Sequence, residues 1–310
     1  MTLSIGVDVG GTKVAAGVVN EQGEILQRVR RPTPRQDSEA FIATIAACVN
    51  DLKSSGATTV GIGQAGYIAA DRDTLIYGTN VPLQNGRLGS RIAELTGMPV
   101  VVENDANAAA WAEYRFGAAA DAESAVVVTL GTGLGGGVIM NGNLLRGAFG
   151  FGAEIGHIHM VPNGPLCGCG SRGCWEVMGS GSALVRFATE RAANYPSGAA
   201  RILELGEGRV TGPAVTAAAQ EGDEMALDVF NELAHWNAIG LADMATIFDP
   251  EIFVIAGGVS EAGSLVLDPL VREFPEVLPV AKYRTLPEIR LARLGNDAGI
   301  IGAADLSTID

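Results

Sequence analysis

The feature that most restricts this chain is a repeat: an apolar run, a glycine turn and a second apolar run occur at residues 5–19 (IGVDVGGTKVAAGVV) and again at residues 126–140 (VVVTLGTGLGGGVIM). Each block reads as a hairpin. Two of them in one chain predict a duplicated α/β fold, with independent convergence on one hairpin design as the alternative. Thr129 takes the place of Asp8 in the second copy. The copies therefore share their turns and differ in their polar groups.

Around the first hairpin, strands are predicted at residues 3–9, 14–19, 24–29 and 58–63. A helix is predicted over 40–53, capped by Ser38, with Phe41, Ile45, Val49 and Leu52 at helical spacing. A strand at 99–103 then runs into Asn104-Asp105-Ala106-Asn107 and an alanine-rich helix ending near Gly117. The second copy predicts a strand at 125–130, a turn at 131–133 and a return strand at 137–140. Farther on, the longest helix covers 223–248 and stops at Asp249 and Pro250 before a strand at 251–256. A last strand at 289–294 precedes a short C-terminal helix. The pattern places a smaller N-terminal domain at residues 1–118, with the helix at 297–310 a candidate to complete it, and a larger domain at 119–296.

Charge narrows the function. Lys plus Arg is 21 against 35 for Asp plus Glu, a net charge of −14, which argues against a nucleic-acid-coating or anionic-membrane role. No apolar run approaches the roughly 20 residues of a membrane span. The start MTLSIGVDVGG lacks the basic segment and cleavage site of a secretion signal. A cytoplasmic location is expected, and there Cys167, Cys169 and Cys174 need an explanation other than a disulfide scaffold.

The string at residues 131–136, GTGLGG, satisfies the dinucleotide fingerprint G-x-G-x-x-G, but a strand follows it where that fingerprint opens a helix. Residues 10–13 likewise lack P-loop spacing. Both turns can nonetheless cradle phosphate oxygens through backbone amides and threonine hydroxyls, since glycine allows close approach and positive φ. Asp8, at the end of a strand beside the first turn, can orient metal-bound water near a phosphate, or can serve a structural turn. Asp105 can accept a proton from a substrate hydroxyl, or can simply cap a helix.

His157 or His159 together with Cys167, Cys169 and Cys174 fits a tetrahedral Zn²⁺ site with no open position, hence a structural one. A reduced packing cluster and a disulfide are the alternatives. Spacing alone does not choose between the histidines. Glu154 and Glu176 bracket this segment and can accept hydrogen bonds from a polyol, or can be surface acids. A zinc protease is disfavoured by the absence of H-E-x-x-H.

Taken together, VDVGGTK (7–13), ENDANAAAWAE (103–113), TLGTGLGGGVI (129–139), EIGH (154–157), CGCGSRGCWE (167–176) and IAGGVS (255–260) resemble the ROK family, and within it the bacterial glucokinases, over nearly the whole chain. The resemblance implies an actin-like (ribonuclease H-like) duplicated fold whose two domains flank a nucleotide and sugar cleft. It implies ATP-dependent phosphorylation of glucose at the 6-hydroxyl, with Asp105 as base. Asn80, Asn104, Asp105, Glu154, His157 and Glu176 become sugar-pocket residues. Gly10, Gly11, Thr12 and Lys13, with Gly131, Thr132 and Gly133, become phosphate turns. Asp8 is placed near Mg²⁺, and Gly257 and Gly258 become an adenosine-side turn. His157 is favoured over His159 as the partner of Cys167, Cys169 and Cys174 on structural Zn²⁺.

The implied partners are glucose and ATP, with no nucleic acid, no membrane, and a homodimer or homotetramer. Two departures bear on sugar choice: Gln64-Ala65-Gly66-Tyr67 replaces a proline- or glycine-rich turn, and Val81-Pro82-Leu83 lacks a tryptophan common in relatives. Another hexose or N-acetylhexosamine (fructose, mannose, N-acetylmannosamine or N-acetylglucosamine) is the alternative acceptor. A non-catalytic sugar-binding module is the alternative class. The family's repressors carry an added N-terminal DNA-binding domain; here the kinase motif starts at residue 5, and no such domain is expected.

Overall fold

In the computed structural model, which describes residues 2–78 and 81–309, the first hairpin is β1 (Ser4–Val9) and β2 (Lys13–Val19), antiparallel from Ser4↔Val19 to Val9↔Val14. β3 (Ile25–Pro32) pairs with β2. α1 (Ser38–Leu52) follows, and its start corrects the sequence reading. Asp37, not Ser38, is the cap, accepting from the amides of Glu39 at 2.9 Å and Ala40 at 3.2 Å, while the Ser38 hydroxyl donates to the Pro82 carbonyl at 3.1 Å. A carboxylate complements the positive end of a helix better than a hydroxyl does.

The chain continues through β4 (Thr59–Gln64), the short strands β5 (Tyr67–Ile68), β6 (Thr74–Tyr77) and β7 (Gly86–Arg87), then α2 (Leu88–Thr96), β8 (Val100–Asn104) and α3 (Asp105–Phe116). One sheet has the order β3-β2-β1-β4-β8. Its β1, β4 and β8 are parallel and in step, with Asp8 opposite Gly63 and Gln64 opposite Asn104. Ile5, Val7, Ile62 and Val102 face Phe41, Ile45 and Leu88 of the helices in one buried cluster, where each such side chain stabilises the fold by about 1.5–3 kcal/mol.

The second hairpin is β9 (Ala125–Leu130) and β10 (Leu134–Met140), followed by β11 (Asn143–Leu144). β10 begins three residues before the predicted return strand because buried Leu134 anchors it and its amide is taken by Glu176. Then come α4 (Trp175–Gly179), α5 (Gly181–Asn194), α6 (Ala200–Leu205), α7 (Gly212–Gln220), α8 (Glu224–Phe248), β12 (Ile252–Ala256), α9 (Ser264–Val277), β13 (Glu288–Leu291) and α10 (Ala298–Leu306). The second sheet has the order β11-β10-β9-β12-β13, with β9 and β13 both parallel to β12.

The chain forms two compact units. The first comprises Met1–Glu123, Gly137–Ala153 and Arg293–Asp310; the second comprises Ser124–Gly136 and Glu154–Ala292. Within the first, α10 lies directly against the sheet and α3. Cβ atoms at Gly6, Gly61 and Gly302 would overlap the carbonyls of Ile300, Ala303 and Ala108, so these glycines set the approach of the helix. Among the described residues no helix is long and apolar enough to cross a membrane.

Candidate active site

The first unit brings Asp8, the 10–13 turn, Asn104 and Asp105 to the carboxyl ends of its parallel strands, the edge at which such sheets hold ligands. Asn104 both closes β8 and caps α3. Its Oδ1 accepts from the Asn107 amide at 3.0 Å, and its Nδ2 donates to the Gly66 carbonyl at 3.1 Å. Gly66 has φ of 123°, a conformation that only glycine adopts readily, and this aims its carbonyl at Asn104.

Asp105 is the first residue of α3. Burial pushes its carboxyl pKa up, and the amides of Ala106 and of Asp105 itself draw it partly back. Asp8 is pushed up to about 6, first by burial and then by the charge of Asp105, with Lys13 acting in the opposite direction. Gly299 at the start of α10 leaves room for the Asp8 carboxyl, since a Cβ there would come within 3.1 Å of its Cγ.

The hydrogen bonds of the 10–13 turn decide which of its groups face outward. Gly10 O accepts from Thr33 Oγ1 at 2.7 Å, Gly11 O from Arg35 Nε at 2.6 Å, and Thr12 O from the Thr33 amide at 3.1 Å. An N–H points opposite to the carbonyl of its own peptide plane. The amides of Gly11, Thr12 and Lys13 therefore face away from Thr33 and Arg35. Neither Gly10 nor Gly11 has the positive φ allowed for in the sequence reading; a Cβ at Gly11 would meet nothing within 4 Å. What this glycine supplies is open space.

In the second unit the 131–133 turn is held in the same manner. Gly131 O accepts from the Gly181 amide at 2.8 Å and Thr132 O from Ser182 Oγ at 2.7 Å, which turns the amides of Thr132 and Gly133 outward. Gly257 has φ of 84°, and a Cβ there would lie 2.6 Å from Leu130 O; Gly258 is unobstructed. Beside these turns is a cavity of about 710 Å³ whose walls include Thr132, Ser182, Val185, Pro213, Thr216 and Val259. Its size and its apolar walls with hydroxyls at one side suit a nucleoside. The contributions of α5 and α7 were not foreseen from the sequence. The available signal was Ser180-Gly181-Ser182 after the cysteine segment, where Ser180 caps α5 by accepting from the Ala183 amide at 3.3 Å.

His157, Cys167, Cys169 and Cys174 each direct a ligand atom to one spot, all four within 4.8 Å of one another. The cysteines are free thiols. His157 Nδ1 is 3.7 Å from Cys167 Sγ, and Cys169 Sγ is 3.7 Å from Cys174 Sγ. Around a tetrahedral zinc ion two thiolate sulfurs stand about 3.8 Å apart and a sulfur and an imidazole nitrogen about 3.6 Å, so these two separations are compatible with that ion. His159 is exposed and meets Cys174 through a backbone bridge instead. The loop turns at Gly170 and Gly173, with φ of 90° and 71°.

Glu176 joins this cluster to the 131–133 turn. Its Oε2 accepts from the Leu134 amide at 3.2 Å and its Oε1 lies 3.2 Å from Cys167 Sγ. Gly133 makes room for it, since a Cβ there would overlap the carboxylate. Glu154 precedes the single turn that carries His157, its carbonyl accepting the His157 amide at 3.1 Å. Asn80 lies outside the described residues.

Known proteins resemble this chain over nearly its whole length. The family model described as ROK family matches residues 4–309. A glucokinase of Streptomyces coelicolor is 47% identical, over 99% of this chain and 98% of that protein. An N-acetylmannosamine kinase of Escherichia fergusonii is 33% identical over 98% of each. The structure of a ROK family glucokinase from Streptomyces griseus in complex with glucose and AMPPNP is 48% identical, covers 99% of both chains and superposes with a TM-score of 0.89.

Proposed function

The chain belongs to the ROK family, and from that premise we propose that it transfers the γ-phosphoryl group of ATP to the 6-hydroxyl of glucose, with Asp105 as general base. The observation that carries this reading is the pair of carboxyls in the first unit, Asp105 at the head of α3 and Asp8 beside an amide-presenting turn, each with its pKa raised. A hydroxyl attacks phosphorus as it loses its proton, and a carboxylate whose pKa is raised by burial is a stronger base toward that proton. Asn104, fixed by Asn107 and Gly66, positions the sugar next to the base.

The outward amides of the 10–13 and 131–133 turns take phosphate oxygens, and the cavity beside Ser182 and Thr216 takes the adenosine portion. Mg²⁺ arrives with ATP, and Asp8 meets it through water. Glu154, His157, Glu176 and Asn80 are assigned to the sugar, and the two units to the two domains. Glucose is preferred over N-acetylmannosamine because identity is 47% to the glucokinase against 33% to the N-acetylmannosamine kinase, and glucose is the sugar in the Streptomyces griseus complex. Purified protein given glucose and Mg·ATP is expected to yield glucose 6-phosphate and ADP in equal amounts. No product from metal-replete protein would overturn the reading.

His157, Cys167, Cys169 and Cys174 are the residues that would hold zinc. Bound zinc supplies a rigid cross-link with no open coordination position, and takes no part in phosphoryl transfer. Its consequence runs through Glu176, which stands between the cysteine loop and the Leu134 amide. Elemental analysis is expected to find about one zinc per chain, and chelation to weaken glucose binding by about 10- to 100-fold. A fully active, correctly folded protein free of zinc would reject the assignment.

A further inference from the structure

We infer that Arg146 is a positioning residue for the corner that bears the base, acting through the buried carboxylate of Glu103; the inference rests on the roles proposed above for Asn104 and Asp105. Glu103 is 4% exposed, and a carboxylate at that depth must be paired or neutralised. Its Oε1 accepts from the Asn104 amide and from Asn107 Nδ2, both at 3.1 Å. Its Oε2 accepts from Arg146 Nε at 2.6 Å. Asn104 is thereby held twice from one carboxylate: at its backbone amide directly, and at its Oδ1 through Asn107, whose amide that oxygen accepts. Asp105 is the next residue in the chain.

Arg72 does not do the same work. Its Nε stands 4.0 Å from Glu103 Oε2 and has no hydrogen-bond partner among the described residues, while its terminal nitrogens donate to the carbonyls of Leu306 at 2.8 Å and Ile309 at 3.5 Å. Arg72 adds charge near Glu103 and secures the C-terminal segment. Arg146 fixes the orientation of the carboxylate. It sits after β11 on a loop closed by the Gly152 amide donating to Arg146 O at 2.8 Å, and that segment continues in the chain to Glu154. None of the motif segments that mark the family includes it.

Without Arg146, the Glu103 carboxylate loses the bond that fixes its orientation and is free to turn toward Arg72, and its hold on Asn104 and Asn107 loosens. The test is steady-state kinetics of Arg146→Met, Arg146→Lys and the pair Arg146→Met with Glu103→Gln, which leaves no unpaired carboxylate at position 103. Far-ultraviolet circular dichroism and thermal melts establish that each variant is folded. For Arg146→Met and for the double variant, kcat/KM for glucose is expected to fall about 10- to 100-fold, the scale set by small misplacements of reacting groups, with KM for ATP within about three-fold of wild type. Arg146→Lys is expected to recover most of the loss. Wild-type glucose kinetics in the folded double variant, an equal loss in both substrates, or no recovery by lysine would each overturn the inference. Asp105→Asn, run in parallel, separates the two levels: full turnover in that variant removes the underlying reading, whatever Arg146 does.

Discussion

Residues 10–13 and 131–133 are the corresponding turns of the two hairpins, the first closed by the Gly10 amide on Lys13 O and the second, one residue tighter, by the Gly131 amide on Gly133 O. In the first, Thr33 and Arg35 take the carbonyls; in the second, the Gly181 amide and the Ser182 hydroxyl take them. The outcome is alike, a row of outward amides. The surroundings are not. The first turn stands beside Asp8, whose carboxyl is burdened by burial and by the charge of Asp105. The second has Thr129 at that position and is braced from below by Glu176 and the cysteine loop. Duplication has kept the backbone device proposed to meet phosphate in either copy, and the side chains around the two turns differ. The first unit holds acids in surroundings that raise their pKa, and the second holds the Cys/His cluster beside Glu176.

Asp105→Asn breaks this division most severely. It keeps the size and the helix-opening position but removes the proposed base, and turnover is expected to fall about 1,000-fold or more, measured as glucose 6-phosphate formed by protein of unchanged circular dichroism. Turnover equal to wild type would move the base elsewhere. Asp8→Asn comes next, with kcat/KM for Mg·ATP expected to fall about 100-fold as the contact to the metal's water shell is lost.

The same variant has an opposite effect on stability. The folded pKa of Asp8, about 6, lies above its ordinary value of 3.8. Between those values the native state keeps a proton that the unfolded chain releases, so the contribution is present at low pH and is lost as pH rises through the window. Asparagine cannot ionise. Asp8→Asn is therefore expected to be more stable than wild type by about 1–3 kcal/mol at pH 7–8, the difference vanishing toward pH 4. Denaturant melts across that range check it; a constant difference would show that Asp8 is not strained in the fold. Wild-type activity is expected to decline below about pH 6 as Asp8 takes up its proton.

Much of this site could be read before any coordinates. Hairpins betray themselves by apolar periodicity, the Asn104-Asp105 corner by its place between a strand and a helix, and the cysteine loop by spacing. Contacts that depend on distant segments could not. Gly6 and Gly61 look like any strand glycines until α10 is seen pressed against them, and no local pattern encodes a helix arriving from the other end of the chain. Ser38 was credited with a cap that belongs to Asp37, because both are good caps and helix ends shift by a residue. The cavity walls on α5 and α7 carry small residues such as Thr216 and Val185, ordinary in composition and informative only once folded together. Arg146 and Glu103 pair across 43 residues of sequence, and single-sequence reading has no means of pairing them.

The mildest substitutions test the turns themselves. Gly133→Ala inserts a Cβ into the space of the Glu176 carboxylate and is expected to cost about 1–3 kcal/mol of stability. Its KM for ATP should rise about ten-fold, since the Leu134 amide loses its partner and the turn shifts. Gly11→Ala is the informative counterpart. Its backbone is not left-handed and its Cβ would meet no protein atom within 4 Å, so stability is expected to stay within about 0.5 kcal/mol of wild type. Among the described residues beyond its chain neighbours nothing stands within 4 Å of that methyl group, so it probes for a bound phosphate drawn close to the outward amides. A rise of about ten-fold in KM for ATP with an unchanged melting curve would place the phosphate on this turn, because displacement from the amides is the one remaining cause. An unchanged KM together with unchanged stability would mean that the first copy of the turn has kept the form of a phosphate cradle without the ligand, and the symmetry between the two copies would then be one of ancestry alone.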